Sequence, residues 1–136
     1  MSMALDMTVT LLLPTRTLFE GKAVRLTAVG PNGAFGIWPN HVDFITAIVP
    51  SVLTLGAADG LEEIFGLDEG LLLKKGRAVT VSVRRGVRGD DLSTLHRTVE
   101  DTFIQMEEEE RQARSALSRL EADMVRRFAE LQRPHL

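Results

Sequence analysis

The spacing of apolar residues changes along the chain, from short alternating runs to a helical repeat. Up to about residue 85, apolar runs are brief and bounded by Gly, Pro, Asn or Asp, which is typical of short strands joined by tight turns. Close, regular strand spacing favours a β-sandwich or a small barrel. The runs predict strands at residues 7–13, 23–29, 44–49, 52–57, 62–66, 70–74 and 78–84, with hairpin turns at 58–60 and 68–70.

After Gly89 the apolar residues recur every three or four positions, as they do along one face of an amphipathic helix. Asp90 or Asp91 is the expected cap and Pro134 the expected end. The glycines at 86 and 89 predict a hinge between the two halves. The repeat consists of Leu92, Leu95, Val99, Phe103, Met106, Ala113, Leu117, Leu120, Met124, Phe128 and Leu131.

Four consecutive glutamates, residues 107–110, leave the form of this helical half open. Glu110 takes a position of the repeat that is elsewhere apolar, which favours a break between two helices. No Gly or Pro occurs between Leu92 and Gln132, which favours one continuous helix. Under either alternative the glutamates form a solvated face, with i,i+4 pairs such as Glu107–Arg111.

The predicted fold class is therefore α+β, an N-terminal antiparallel β-sandwich followed by a C-terminal helical domain that is either a hairpin or one long helix. The expected domain limits are residues 1–87 and 90–133. A chain of 136 residues is long enough for one core with such an appendage.

Composition and charge narrow the class of protein. The absence of cysteine excludes disulfides and thiolate metal sites. The net charge is −3, and residues 90–136 alone carry 11 acidic and 7 basic residues, so we expect no nucleic-acid partner. The longest apolar run, residues 47–58, is too short to span a bilayer, and no secretory signal is expected at the start.

Residues 33–50 (GAFGIWPNHVDFITAIVP) are dense in turn-forming residues and predict a shaped loop between strands. His41 beside Asp43 is compatible with acid–base chemistry, but no nucleophile motif accompanies the pair, which favours a structural or interface histidine. Trp38, the single tryptophan, either plugs the end of the sandwich or anchors a partner.

Residues 18–21 (LFEG), 29–33 (VGPNG) and 35–41 (FGIWPNH), followed by Thr46-Ala47 and Pro50, resemble one family. They are similar to the epsilon subunit of F-type ATP synthases, which is called delta in mitochondria. The resemblance implies a non-catalytic rotor component that binds the gamma shaft and the c-ring and couples ion flow to rotation. It also implies a peripheral location on the cytoplasmic side of the bacterial cell membrane. A helical domain that contacts gamma, or the alpha and beta subunits, can inhibit ATP hydrolysis in many bacterial members.

The same resemblance assigns contact residues. Trp38, His41 and Thr46 are expected at the gamma interface, and Gly30, Asn32, Gly33 and Ala34 at the end that meets the c-ring. Relatives often carry an acidic residue where Ala34 stands. The ATP-binding motif of some bacterial members is absent from residues 91–98, so no cofactor or nucleotide is expected. These departures are compatible with a divergent branch of the family, coupled to protons or sodium ions.

Two other functions remain as alternatives. The near-heptad spacing from Leu117 to Leu131 is also typical of a sandwich adaptor that oligomerises through a coiled coil. A small enzyme that uses His41 and Asp43 is the second alternative.

Overall fold

A computed structural model describes residues 5–132, and these residues form ten strands and one uninterrupted helical stretch. One sheet (sheet one) has the strand order β2-β1-β9-β8-β5, and the other (sheet two) has the order β10-β7-β6-β3-β4. The strands are β1 (Met7–Leu12), β2 (Thr17–Ala23), β3 (Arg25–Gly30), β4 (Gly33–Ile37), β5 (Phe44–Ile48), β6 (Ser51–Gly56), β7 (Glu62–Leu67), β8 (Gly70–Lys75), β9 (Ala78–Val83) and β10 (Gly86–Gly89).

The sandwich is held by alternating side chains that face inward from both sheets. In β1, Met7, Val9 and Leu11 are fully buried while the residues between them face outward. Such alternation is what a strand needs to cover a core with one face. The predicted sandwich fold is confirmed, and its buried apolar residues are Met7, Val9, Leu11, Ala23, Leu26, Ala28, Ile37, Ile48, Leu53, Leu55, Phe65, Leu67, Leu72, Val79, Val81 and Val83.

One strand pair departs from the antiparallel arrangement. β1 and β9 run parallel, with Thr8 opposite Ala78 and Leu12 opposite Ser82. A parallel pair needs a long connection and has no hairpin, and here the connection comprises residues 13–77. A strand shows the same apolar alternation whether it pairs parallel or antiparallel to its neighbour. The sequence pattern therefore could not reveal that β1 and β9 are parallel.

Three strands were missed by the pattern, namely β2, β4 and β10. Residues 33–50 contain the unpredicted β4 as well as β5, which was predicted at residues 44–49, and each of these strands lies at one edge of its sheet. The predicted hinge at Gly86 and Gly89 is also wrong, because both glycines belong to β10 and pair with β7. Glycine weakens strand propensity, so these short strands depend on tertiary pairing.

The two predicted turns had different outcomes. The β6–β7 hairpin turns at Gly60, which has φ +86°, as predicted. The predicted hairpin at residues 68–70 is instead a crossing from sheet two to sheet one. There the buried carboxylate of Asp68 accepts a hydrogen bond from Arg85 Nη1 at 2.7 Å.

The helical stretch consists of α1 (Leu92–Thr98), a π-helical segment (Val99–Ile104) and α2 (Gln105–Leu131). The one-helix alternative is therefore the observed one. Asp91 is the N-cap, and its side chain accepts hydrogen bonds from the Ser93 N–H at 3.3 Å and the Thr94 hydroxyl at 2.9 Å. Pro134, the predicted helix end, lies outside the described residues.

Two compact units divide the chain between Ile104 and Gln105. The first unit contains the sandwich together with α1 and the π-helical segment. α1 packs on β6, β7 and β10, and the π-helical segment packs on β7. The expected end of the sandwich domain at residue 87 falls within β10.

Within α2, the second unit, none of the described residues is buried. Arg111 bridges Glu107 at 3.2 Å and Glu108 at 3.1 Å, so the expected Glu107–Arg111 pair is present. Among residues 5–132, no helix is both long enough and apolar enough to cross a membrane.

Candidate interaction site

The β3–β4 hairpin presents three of the four residues expected at the c-ring end. Asn32, Gly33 and Ala34 are exposed around its tight turn, and Gly33 has φ +115°, a conformation that favours glycine. Gly30 is buried instead. A side chain at Gly30 would come within 3.2 Å of the Ala47 carbonyl oxygen, so Gly30 allows β3 to approach β5 closely.

The two sheets meet along β5 beside this hairpin. The Val49 N–H donates to the Val29 carbonyl at 3.2 Å, and the rings of Phe35 and Phe44 meet edge to face at 6.1 Å. The hydroxyl of Thr46, an expected gamma contact, lies 3.7 Å from the position of a Cβ on Gly30. Thr46 and Gly30, which are expected at different interfaces, are therefore neighbours where the two sheets meet.

Trp38 follows β4 directly and is 56% exposed. Its ring lies against the backbone of Gly36, where a Cβ would come within 2.8 Å of the ring. Trp38 therefore does not plug the sandwich interior. It presents a broad apolar surface beside the edge strand, which is the type of residue enriched at interface hot spots.

His41 and Asp43 both hold the loop that joins β4 to β5. The backbone N–H of His41 donates to the Trp38 carbonyl at 3.0 Å, and the His41 ring stands 4.8 Å from the Phe44 ring. Nδ1 of His41 is 2.8 Å from the Val42 carbonyl oxygen, and Oδ1 of Asp43 accepts from the Gly76 N–H at 2.7 Å. These contacts give both side chains a structural use, with no acid–base relay between them.

Lys74 is a structural residue of this region that the sequence interpretation missed. It is 1% exposed, and its ammonium donates to the carbonyl oxygens of His41 and, at 2.7 Å, of Gly76. A buried charged group needs such partners to offset its desolvation. The sequence did contain a signal that Lys74 is buried, because strand alternation places Lys74 on the same inward face as Leu72. Lys74 and Asp43 together fix the 38–43 loop to the β8–β9 hairpin.

The outer faces of the two sheets differ beside this loop. On sheet two, α1 covers the β6 and β7 strands. On sheet one, Ile45 lies opposite Leu73 and Ala47 lies opposite Leu71. These four residues, which we call the sheet-one patch, are all exposed, Ile45 to 64%. Thr46 lies between Ile45 and Ala47 in β5 but faces the other side of the sheet, opposite the buried Leu72, so the patch belongs to the outer face of sheet one.

A shallow cavity of about 410 Å³ near the start of α1 is a poor site for phosphate. Its walls carry Glu62, Glu63, Asp90 and Asp91 against the single arginine Arg88, which pairs with Glu63 at 2.9 Å. Hydrogen bonds from the Thr94 hydroxyl and then from the Ser93 N–H lower the pKa of Asp91, so this carboxylate stays charged at neutral pH. An anion would meet an excess of negative charge here.

The sequence model of the ATP synthase delta/epsilon chain β-sandwich domain matches residues 6–89, which are the ten strands and their turns. The chain belongs to this family. Its ten-stranded sandwich and C-terminal helix fit that assignment, and an epsilon-type central-stalk subunit of ATP synthase is itself non-catalytic.

Similar proteins include ATP synthase epsilon chain 2 of Paraburkholderia xenovorans strain LB400, 33% identical over 92% of this chain and 91% of that protein. The ATP synthase epsilon chain of Delftia acidovorans is 32% identical over 85% of this chain and 78% of its own length.

The fold is also similar to a chain in a solved assembly of the Euglena gracilis mitochondrial ATP synthase, described as OSCP/F1/c-ring in rotational state 1. The TM-score is 0.62 at 14% identity, over 74% of this chain. The match spans 65% of the solved chain, which is just under two thirds of its length.

Proposed function

We propose that this chain links the gamma shaft to the c-ring in the central stalk of an F-type ATP synthase or ATPase, coupling ion transport to ATP synthesis or hydrolysis. The observation that carries the proposal is the edge of the sandwich at which the β3–β4 hairpin, the 38–43 loop and β5 lie together. This edge lies within the part of the chain that matches the family.

The gamma subunit binds the 38–43 loop and β5, with Trp38, His41 and Thr46 as contacts. Support comes from the exposed Trp38 ring and from the rigidity that Lys74 and Asp43 give the loop. A surface that is ordered before binding loses less conformational entropy on association.

The c-ring binds the tip of the β3–β4 hairpin, at Asn32, Gly33 and Ala34, while the buried Gly30 shapes the hairpin. The tip carries no charged side chain between Gly30 and Ile37. Its contact with the ring therefore relies on backbone hydrogen bonds and close packing instead of an ion pair.

The remaining proposals concern the helical half and the location. Residues 1–87 and 90–133 act as the sandwich and helical domains, and α2 contacts gamma or the alpha and beta subunits and restrains ATP hydrolysis. The protein is peripheral, held at the cytoplasmic side of the bacterial cell membrane through the complex.

Calorimetric titration of purified gamma with Trp38→Ala, His41→Ala and Thr46→Ala tests the gamma surface. Trp38→Ala should weaken binding at least about tenfold, since a central aromatic anchor contributes about 2 kcal/mol or more. Val87→Ala, which truncates an exposed side chain on β10, is the matched control and should bind normally.

Thermal unfolding of each variant separates lost contacts from lost folding. Wild-type affinity in all three folded variants would remove these residues from the interface. For the c-ring, Ala34→Arg should weaken binding to isolated c-ring while leaving gamma affinity unchanged. A variant that loses both partners together would contradict the division of the surface.

A further inference from the structure

The apolar face of α2 is uncovered along the whole helix. Leu117, Leu120 and Met124 are 56%, 62% and 59% exposed, and no described residue of α2 is buried. Contiguous exposed apolar surface of this kind usually marks an interaction site. The positions on this face also specify which partner fits it.

A heptad seam runs along α2. Six apolar residues occupy the a and d positions at Met106, Ala113, Leu117, Leu120, Met124 and Leu131, and two charged residues, Glu110 and Arg127, fill the remaining two. We call these eight positions the seam. The intervals between them alternate between four and three residues, and the series is identical from either end of the helix.

We propose that α2 pairs with α2 of a second copy of this chain, as an antiparallel two-stranded coiled coil. When two copies of the seam are placed antiparallel, Met106 faces Leu131 and Leu117 faces Leu120. The small Ala113 faces the long Met124, so the paired volumes complement each other. The paired seam extends about 38 Å, at 1.5 Å per residue.

The two charged seam positions decide both the partner and its direction. In the antiparallel register Glu110 of one copy faces Arg127 of the other, so the dimer contains this opposite-charge contact twice. A parallel dimer would place Glu110 on Glu110 and Arg127 on Arg127 along a largely apolar seam. Polar residues at seam positions commonly select orientation and oligomeric state in this manner.

Residues that flank the seam contribute both attractive and repulsive contacts. On one flank Arg114 faces Glu121 of the second copy, again twice in the dimer. On the other flank Glu109 faces Glu130 near the two ends, where solvent screens the repulsion. The flanks therefore do not decide the direction, which is set by the central Glu110–Arg127 contacts.

The α2–α2 dimer is a state of the chain before it joins the ATP synthase complex. Its formation does not depend on the proposed partners of the sandwich. The seam is also the face that α2 would offer to a helix of another subunit. Self-pairing and docking of α2 on that subunit therefore exclude each other. Assembly into the stalk would require the dimer to separate.

Sedimentation equilibrium of the full chain across the micromolar range tests the pairing. We expect a monomer–dimer equilibrium. Glu110→Arg and Arg127→Glu should each weaken dimerisation by about tenfold, because each change turns both opposite-charge contacts into like-charge contacts. The double variant Glu110→Arg/Arg127→Glu should regain wild-type association.

Arg119→Glu, on the opposite side of α2, is the matched control and should dimerise like the wild type. Circular dichroism of every variant must show unchanged helicity. A chain that remains monomeric at all concentrations would overturn the proposal and assign the seam to another subunit. A dimer that ignores the charge swaps would overturn it as well.

Cysteine cross-linking tests the direction of pairing, since the natural chain contains no cysteine. Under oxidation, a mixture of Met106→Cys and Leu131→Cys chains should form the mixed disulfide, while each variant alone should not cross-link. A disulfide between two Met106→Cys chains would indicate parallel pairing and contradict the proposal.

Discussion

α1 and α2 arise from the same apolar repeat but have opposite environments. In α1 and the π-helical segment, Leu95, Val99 and Phe103 are at most 4% exposed. In α2, Leu117 and Leu120 continue the repeat and are more than half exposed. A helical repeat therefore predicts an apolar face without identifying the surface that will cover it.

α1 is buried because the outer face of sheet two has a recess that accepts its apolar side chains. Gly66 and Gly89 leave a recess on the outer face of sheet two, where a Cβ would come within 3.3 Å and 2.5 Å of the Leu95 side chain. Gly66 lies between the inward-facing Phe65 and Leu67, so the recess is on the outside of the sandwich. The two glycines that weaken β7 and β10 as strands thus allow α1 to pack.

The largest expected effect comes from truncating the repeat in each helix. Leu95→Ala should lower the free energy of unfolding by about 2–5 kcal/mol, because it leaves a cavity over the sheet. Leu120→Ala should change it by less than about 0.5 kcal/mol in dilute solution. Urea unfolding followed by the fluorescence of Trp38, the single tryptophan, measures both. Equal losses in the two variants would abolish the contrast between α1 and α2.

Filling the recess should have a smaller effect. Gly89→Ala should destabilise the first unit by about 1–3 kcal/mol, because the new methyl group overlaps Leu95. In the double variant Gly89→Ala/Leu95→Ala, the methyl group occupies vacated space, so the combined loss should be less than additive. Strict additivity would show that Gly89 and Leu95 do not interact.

The cap of α1 should make stability depend on pH. Because the pKa of Asp91 is lowered in the folded state, its contribution is complete at neutral pH and is lost as the pH falls below about 4. Asp91→Asn keeps an acceptor for the N-cap but cannot titrate. The difference in urea midpoint between wild type and Asp91→Asn should therefore shrink with acidification. If the difference in urea midpoint stayed constant with pH, the charge of Asp91 would not contribute to the stability of the cap.

The smallest effect is expected in α2, where ion pairs are exposed. Arg111→Ala removes contacts to Glu107 and Glu108 and should reduce helix stability by about 0.2–0.5 kcal/mol per pair. Thermal melting followed by circular dichroism, with and without high salt, measures the change. If salt erased the difference, the pairs would be electrostatic as expected, whereas a large salt-independent loss would imply packing by the arginine stem.

The sequence was sufficient for the sandwich and its helix because alternation and the helical repeat are strong signals. It failed where tertiary pairing overrides propensity, as in β10, whose two glycines indicated a hinge. It also left the form of the helical half open, because Glu110 interrupts the apolar repeat while no Gly or Pro occurs between Leu92 and Gln132. The seam explains this interruption, since in the proposed dimer Glu110 has Arg127 as its counterpart.

The residues of the candidate site stay a prediction, whereas the contacts that support its loop were not predicted. Trp38 and His41 lie on the short loop that joins β4 to β5, and Thr46 lies on β5, so the loop brings the three residues near one another. Lys74 was missed because lysine is rarely buried, and only its place in the strand alternation could have indicated otherwise. Its role depends on two carbonyl groups, and a sequence does not reveal where backbone carbonyls point.

The parallel pairing of β1 with β9 has a consequence for the order of folding. β1 is synthesised first, yet one of its two edges stays unpaired until residues 78–82 have been made. A contact across so much of the chain slows folding, since a long loop must close before the contact forms. Until residues 78–82 have been made, this edge of β1 lacks its partner strand and is open to pairing with the strand of another chain.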